Sequence, residues 1–97
     1  MNNDDDIQGV LLDLLKLGLL RIRALGSAGD AESCGVEADH IHNLPMLIRS
    51  FSWERLLYYY NIERTGFASR TTCNLDEFRS LWDKLDKMIQ SQSNSNR

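Results

Sequence analysis

The chain has 97 residues, 42% of them apolar and 26% charged, and a net charge of −3. A chain this short makes about one domain and buries only roughly 60–65% of the surface it exposes when unfolded. The acidic balance argues against general binding of a phosphate backbone, which needs a clustered positive field.

The opening stretch MNNDDDIQGVLLDLLKLGLLRIR has an apolar run after an acidic start. A secretory signal needs a basic start and an unbroken apolar stretch, and here Asp13 and Lys16 interrupt the run. No segment approaches the ~18 uncharged residues of a membrane span. These features predict a cytoplasmic protein that neither inserts into a membrane nor binds nucleic acid, with Cys34 and Cys73 as reduced thiols. The two cysteines form no metal-binding spacing and read as small buried hydrophobes.

Asp4, Asp5 and Asp6 precede the apolar run, where negative charge meets the positive end of a helix. Asp5 and Gln8 have capping-box spacing, so the first helix is expected from about Ile7 to Leu25, stopped by Gly26 and followed by a GSAG connector. Ile7, Leu11, Leu14, Leu15, Ile22 and Leu25 share one face around Gly18. Val10, Leu17 and Ala24 form a second stripe, and Leu12, Leu19 and Leu20 lie outside both. The polar arc holds little more than Asp13, Lys16 and Arg23. A helix apolar over most of its circumference must be covered over most of it.

Asp30 is placed to cap a second helix from about Ala31 to Asn43, whose stripe of Ala31, Cys34, Ala38 and Ile41 is mostly small. From Pro45 to Arg64 the pattern predicts one long third helix, stopped by Gly66. Phe51 and Tyr58 fall on its core face, and Trp53, Tyr59 and Tyr60 are candidates for an exposed aromatic surface. Glu63 and Arg64 read as a surface or corner ion pair. Four arginines between residues 40 and 73 are interleaved with Glu54 and Glu63, a surface detail rather than a basic patch. The stretch TGFASRTTC is expected as a loop pinned by Phe67. Asn74 with Glu77 marks the start of a last helix, whose stripe is Phe78, Leu81, Trp82, Leu85, Met88 and Ile89. Residues 90–97, QSQSNSNR, have nothing to bury and are expected to be disordered.

The fold class that follows is all-α: a four-helix bundle-like single domain over residues 1–89, mostly antiparallel, with a corner at Pro45 between helices two and three. The segment EADHIHNLPMLIRSF, residues 37–51, holds both histidines and the only proline. Proline disfavours helix at Leu44 and suits a helix's first turn, so the segment reads as that corner. The rival reading is metal. Glu37 and His40 have the Glu-x-x-His spacing of di-metal bundles, but such sites need two of these motifs and two further glutamates. Glu54 or Glu63 would have to supply the rest, perhaps across a dimer. His40 and His42 stand ~200° apart on a helix and cannot chelate one ion there.

No phosphate loop, nucleophile elbow or Cys-x-x-Cys pair is present, so no enzyme activity or cofactor is expected. The leading functional expectation is a non-catalytic adaptor or regulator that acts by protein association and forms a homodimer through Leu12, Leu19 and Leu20, with Trp53, Tyr59 and Tyr60 as a second surface. Two alternatives stand beside it. One is a metal-binding bundle using Glu37 and His40. The other is an acidic inhibitor that covers a basic partner with Asp30, Glu32, Glu37 and Asp39.

Overall fold

The computed structural model describes residues 3–66 and 75–95, which form five helical segments and no strand among them: α1 (Asn3–Ser27), α2 (Ala31–Ile41), α3 (Leu44–Arg49), α4 (Trp53–Gly66) and α5 (Leu75–Ser95). The chain is an all-α, bundle-like domain. Thr65 and Gly66, expected in the loop, end α4, while Phe67, the rest of the loop through Cys73 and the expected cap Asn74 lie outside the described residues.

Helix α1 is the spine. It begins at Asn3, before the capping box, and the Gln8 amide donates to the Ile48 carbonyl (2.9 Å) at the far end of α3. It also ends later than expected. Gly26 continues the helix, and the turn is made at Gly29, whose φ is +79°. The Asp30 N–H reaches the Leu25 carbonyl (2.9 Å) and the Gly29 N–H reaches that of Gly26 (3.0 Å), a Schellman closure with glycine in the left-handed position. Asp30 then caps α2 as expected, its carboxylate accepting from the Ser33 N–H (3.1 Å). Those bonds from Ser33, side chain first, hold the Asp30 carboxyl below its ordinary pKa.

The reversed chain lays α2 antiparallel on α1. Gly18 lies against Ile41, Arg21 against Glu37, and the Cys34 thiol donates to the Ile22 carbonyl (3.3 Å). The contact stripe of α2 is therefore Cys34, Glu37 and Ile41, while Ala31 and Ala38 face solvent. Helix α5 is antiparallel to α1 as well: Ile7 and Met88 border one cleft between them, Leu17 and Leu81 another.

The expected corner is present, two residues long. α2 stops at Ile41, whose carbonyl is the one a residue at position 45 would bond in a continuous helix; Pro45 has no N–H to offer it. Leu44, expected outside the helix, instead opens α3 and is fully buried. The long third helix is two helices. Ser50 leaves helical geometry (φ −126°, ψ 64°), and the Ser52 hydroxyl accepts from the Arg55 N–H (3.2 Å), starting α4 afresh. Arg55 Nη1 reaches back to the Ser50 carbonyl (3.4 Å). Phe51 and Trp53 flank the break edge to face, with centroids 5.8 Å apart.

The core joins Ile7, Val10, Leu11, Leu14 and Leu17 of α1 to Leu44 and Leu47 of α3, Leu56 and Tyr59 of α4, and Phe78, Trp82, Leu85 and Ile89 of α5. The α5 stripe is the predicted one, with Leu81 and Met88 at its half-buried margins. The helix runs on past that stripe. Residues 90–95, expected to lack structure, continue it to Ser95, with Gln90 donating to Asp86 (3.0 Å) one turn back.

Candidate functional site

The Glu-x-x-His pair does not converge. Glu37 turns into the α1–α2 interface, where Arg21 Nε donates to its Oε1 at 2.9 Å; the side chains are 1% and 3% exposed. His40, one turn on, turns the other way, and its Nδ1 lies 2.5 Å from Glu63 Oε1 of α4. His42 is exposed, with Nδ1 2.7 Å from the Asp39 carbonyl within its own turn. Two carboxylates and two imidazoles thus belong to three separate contacts. Among the described residues, no three of His, Cys, Asp and Glu come together as a metal centre would require.

Spacing alone misses Arg21 and misplaces Glu63. Arg21 stands on the stripe Leu14–Gly18–Arg21–Leu25, where an isolated charge demands an opposite one, and Glu37 answers it on the stripe between Cys34 and Ile41. Gly18 lets the two helices approach closely enough for that contact: a Cβ there would lie 2.6 Å from Ile41 Cγ2. Glu63 is not part of a surface pair with Arg64. It is buried and ties α4 to the end of α2.

The aromatic surface also rearranges. Tyr59 enters the core, and Tyr60 is half-buried, stacked on Trp82 (centroids 5.4 Å, 10° between planes) and hydrogen-bonded to Asp86. Burial, then the bond and charge of Asp86, raise the Tyr60 phenol above its ordinary pKa; Arg64, over the ring at 5.9 Å, opposes them. Trp53 is half-buried beside Phe51. The three expected surface aromatics are therefore packing residues of α4, and Tyr58, expected in the core, is 69% exposed. Tyr58, Ile62 and Met46 instead border an open groove of about 320 Å³ between α3 and α4, with Leu47, Tyr59 and Glu63 also lining it.

On α1 the leucines lie where their spacing predicts. Leu12 is 40% exposed and Leu19 and Leu20 are each 55% exposed. With Asp6, Gly9, Asp13, Lys16 and Arg23, all exposed, they share an arc of roughly 140° at 100° per residue. The space over Gly9 is open. Compared with known proteins, the chain matches no family model, no curated protein and no solved structure. No described helix is long and apolar enough to cross a membrane.

Proposed function

We propose that this chain works by protein association, as a small non-catalytic regulator or adaptor that pairs first with a second copy of itself through the outer face of α1. The observation that carries this reading is the exposure of Leu12, Leu19 and Leu20 on one helix of the domain. Burying each side chain fully is worth roughly 1.5–3 kcal/mol, and three leucines left exposed on one helix are surface that a partner can cover. A twofold pairing covers the same patch on both copies and closes the assembly. The reading includes a cytoplasmic setting, supported by the charges that interrupt the α1 apolar run. The acidic-inhibitor alternative loses a member, because Glu37 is spent on Arg21 within the fold.

Sedimentation of Leu12→Glu/Leu19→Glu beside wild type tests the proposal. Wild type should sediment as a dimer and the variant as a folded monomer. Equal masses for the two proteins would overturn it.

A further inference from the structure

The exposed face of α1, which borders α5 at Asp6, Asp13, Lys16 and Leu20, is sorted by charge along its length. Asp6 and Asp13 occupy its N-terminal half, and Lys16 and Arg23 its C-terminal half, all four exposed. Leu20 stands among the bases, and Gly9 between the acids has open space above it. A second copy laid parallel would set acid on acid and base on base. Laid antiparallel, it sets each acidic half against a basic half, and opposes the two helix dipoles favourably.

We infer that the partner is a second copy whose α1 runs antiparallel to the first, with the twofold axis passing between Leu14 and Leu15. This inference rests on the association proposed above and adds its orientation and register. In that register Asp13 faces Lys16 of the second copy, Asp6 faces Arg23, and Leu20 lies over Gly9, while Leu12 and Leu19 run along one margin of the seam beside the same pair of the second copy. Each contact occurs twice, over about 26 Å of helix at 1.5 Å per residue. The glycine is used as a hole: only a residue without a side chain leaves room there for the opposing leucine. Sliding the axis to Lys16 would bring the two lysines together, so the charges select a register as well as a direction.

Disulfide trapping reads the orientation directly. In a Cys34→Ser/Cys73→Ser background, Gly9→Cys and Leu20→Cys variants are prepared separately, oxidised alone and oxidised as a mixture. Both positions are exposed, and in the mixed pair the cysteine at position 9 meets the one at position 20 while the other Leu20 still lies over an unchanged Gly9. The mixed 9–20 disulfide should be the dominant crosslink in the mixture, with little self-crosslinking of Gly9→Cys. Charge reversal supplies a second readout. Asp6→Lys/Asp13→Lys should raise the dimer dissociation constant about tenfold or more, and adding Lys16→Glu/Arg23→Glu to the same chain should restore it. A dimer that crosslinks 9 to 9, or forms no 9–20 bond, overturns the antiparallel register and leaves the association standing. A wild-type monomer overturns both.

Discussion

Arg21 of α1 donates through Nε to Glu37 of α2 at 2.9 Å, with both side chains shut away from water. The two helices are thus joined by a charge pair where their sequences would otherwise put apolar residues. Taking either charge out of water is expensive, and the contact recovers that expense only while both partners are present.

Removing one partner should therefore be severe and removing both mild. Glu37→Leu is expected to lower the unfolding free energy by about 3–5 kcal/mol, because it removes the carboxylate that a buried guanidinium contacts. Arg21→Met/Glu37→Leu should recover most of that loss. Urea titrations of the single and double variants check the pair, and additive losses would show that the two residues act independently.

Glycines at two positions of α1 should respond with opposite signs. At Gly18 a methyl group would meet Ile41 Cγ2 at 2.6 Å, and that atom sits on a stiff β-branched side chain. Gly18→Ala is expected to destabilise by about 1–3 kcal/mol. At Gly9 nothing lies within 4 Å. Gly9→Ala should stabilise the monomeric fold by about 0.5–1 kcal/mol through helix propensity, as read by thermal unfolding at low protein concentration.

Pro45→Ala tests what makes the corner. His42 and Asn43 already have helical dihedrals (φ −63°, ψ −25° and φ −87°, ψ −13°), so restoring the N–H at position 45 removes the main obstacle between α2 and α3. The expected change in stability is roughly 1 kcal/mol or less, since proline acts largely on the unfolded chain. A loss of several kcal/mol in denaturant titration would mean that Pro45 holds more than a turn.

Tyr60 gives a pH dependence of known sign. Its folded pKa lies above the ordinary value of about 10, so the folded state holds the phenol proton more tightly than the unfolded chain. The contribution is whole below pH ~10 and is lost as pH rises through the folded value. Wild type should lose stability more steeply than Tyr60→Phe as pH rises above about 10, measured by thermal melts on either side of that value. Parallel curves would contradict the assignment.

Periodicity makes the long elements legible in the sequence. The α5 stripe, the Asp30 cap and the proline corner follow from residue type and spacing alone, and so do the three leucines left over on α1. What stays hidden there are facts about pairs. Nothing local to Arg21 says that Glu37 lies opposite, although a lone charge on each of two apolar stripes is a usable signal. Nothing local to His40 says that it meets Glu63, 23 positions away. The break at Ser50–Ser52 has a readable sign: a serine three residues before Arg55 is a helix-start signal, masked by apolar spacing that continues through it. Which tyrosine of three enters the core depends on that break, because restarting α4 at Trp53 resets its facing toward α5. The helix at 90–95 extends an established helix, for which composition alone gives no sign.

Pairing of α1 with a partner copy doubles the molar mass of the wild-type chain in solution. Light scattering coupled to size exclusion, run at micromolar concentrations and above, should return twice the 11.2 kDa mass of the chain. A single monodisperse species at 11.2 kDa across that range would rule out the pairing and leave the exposed leucines of α1 without the partner proposed for them.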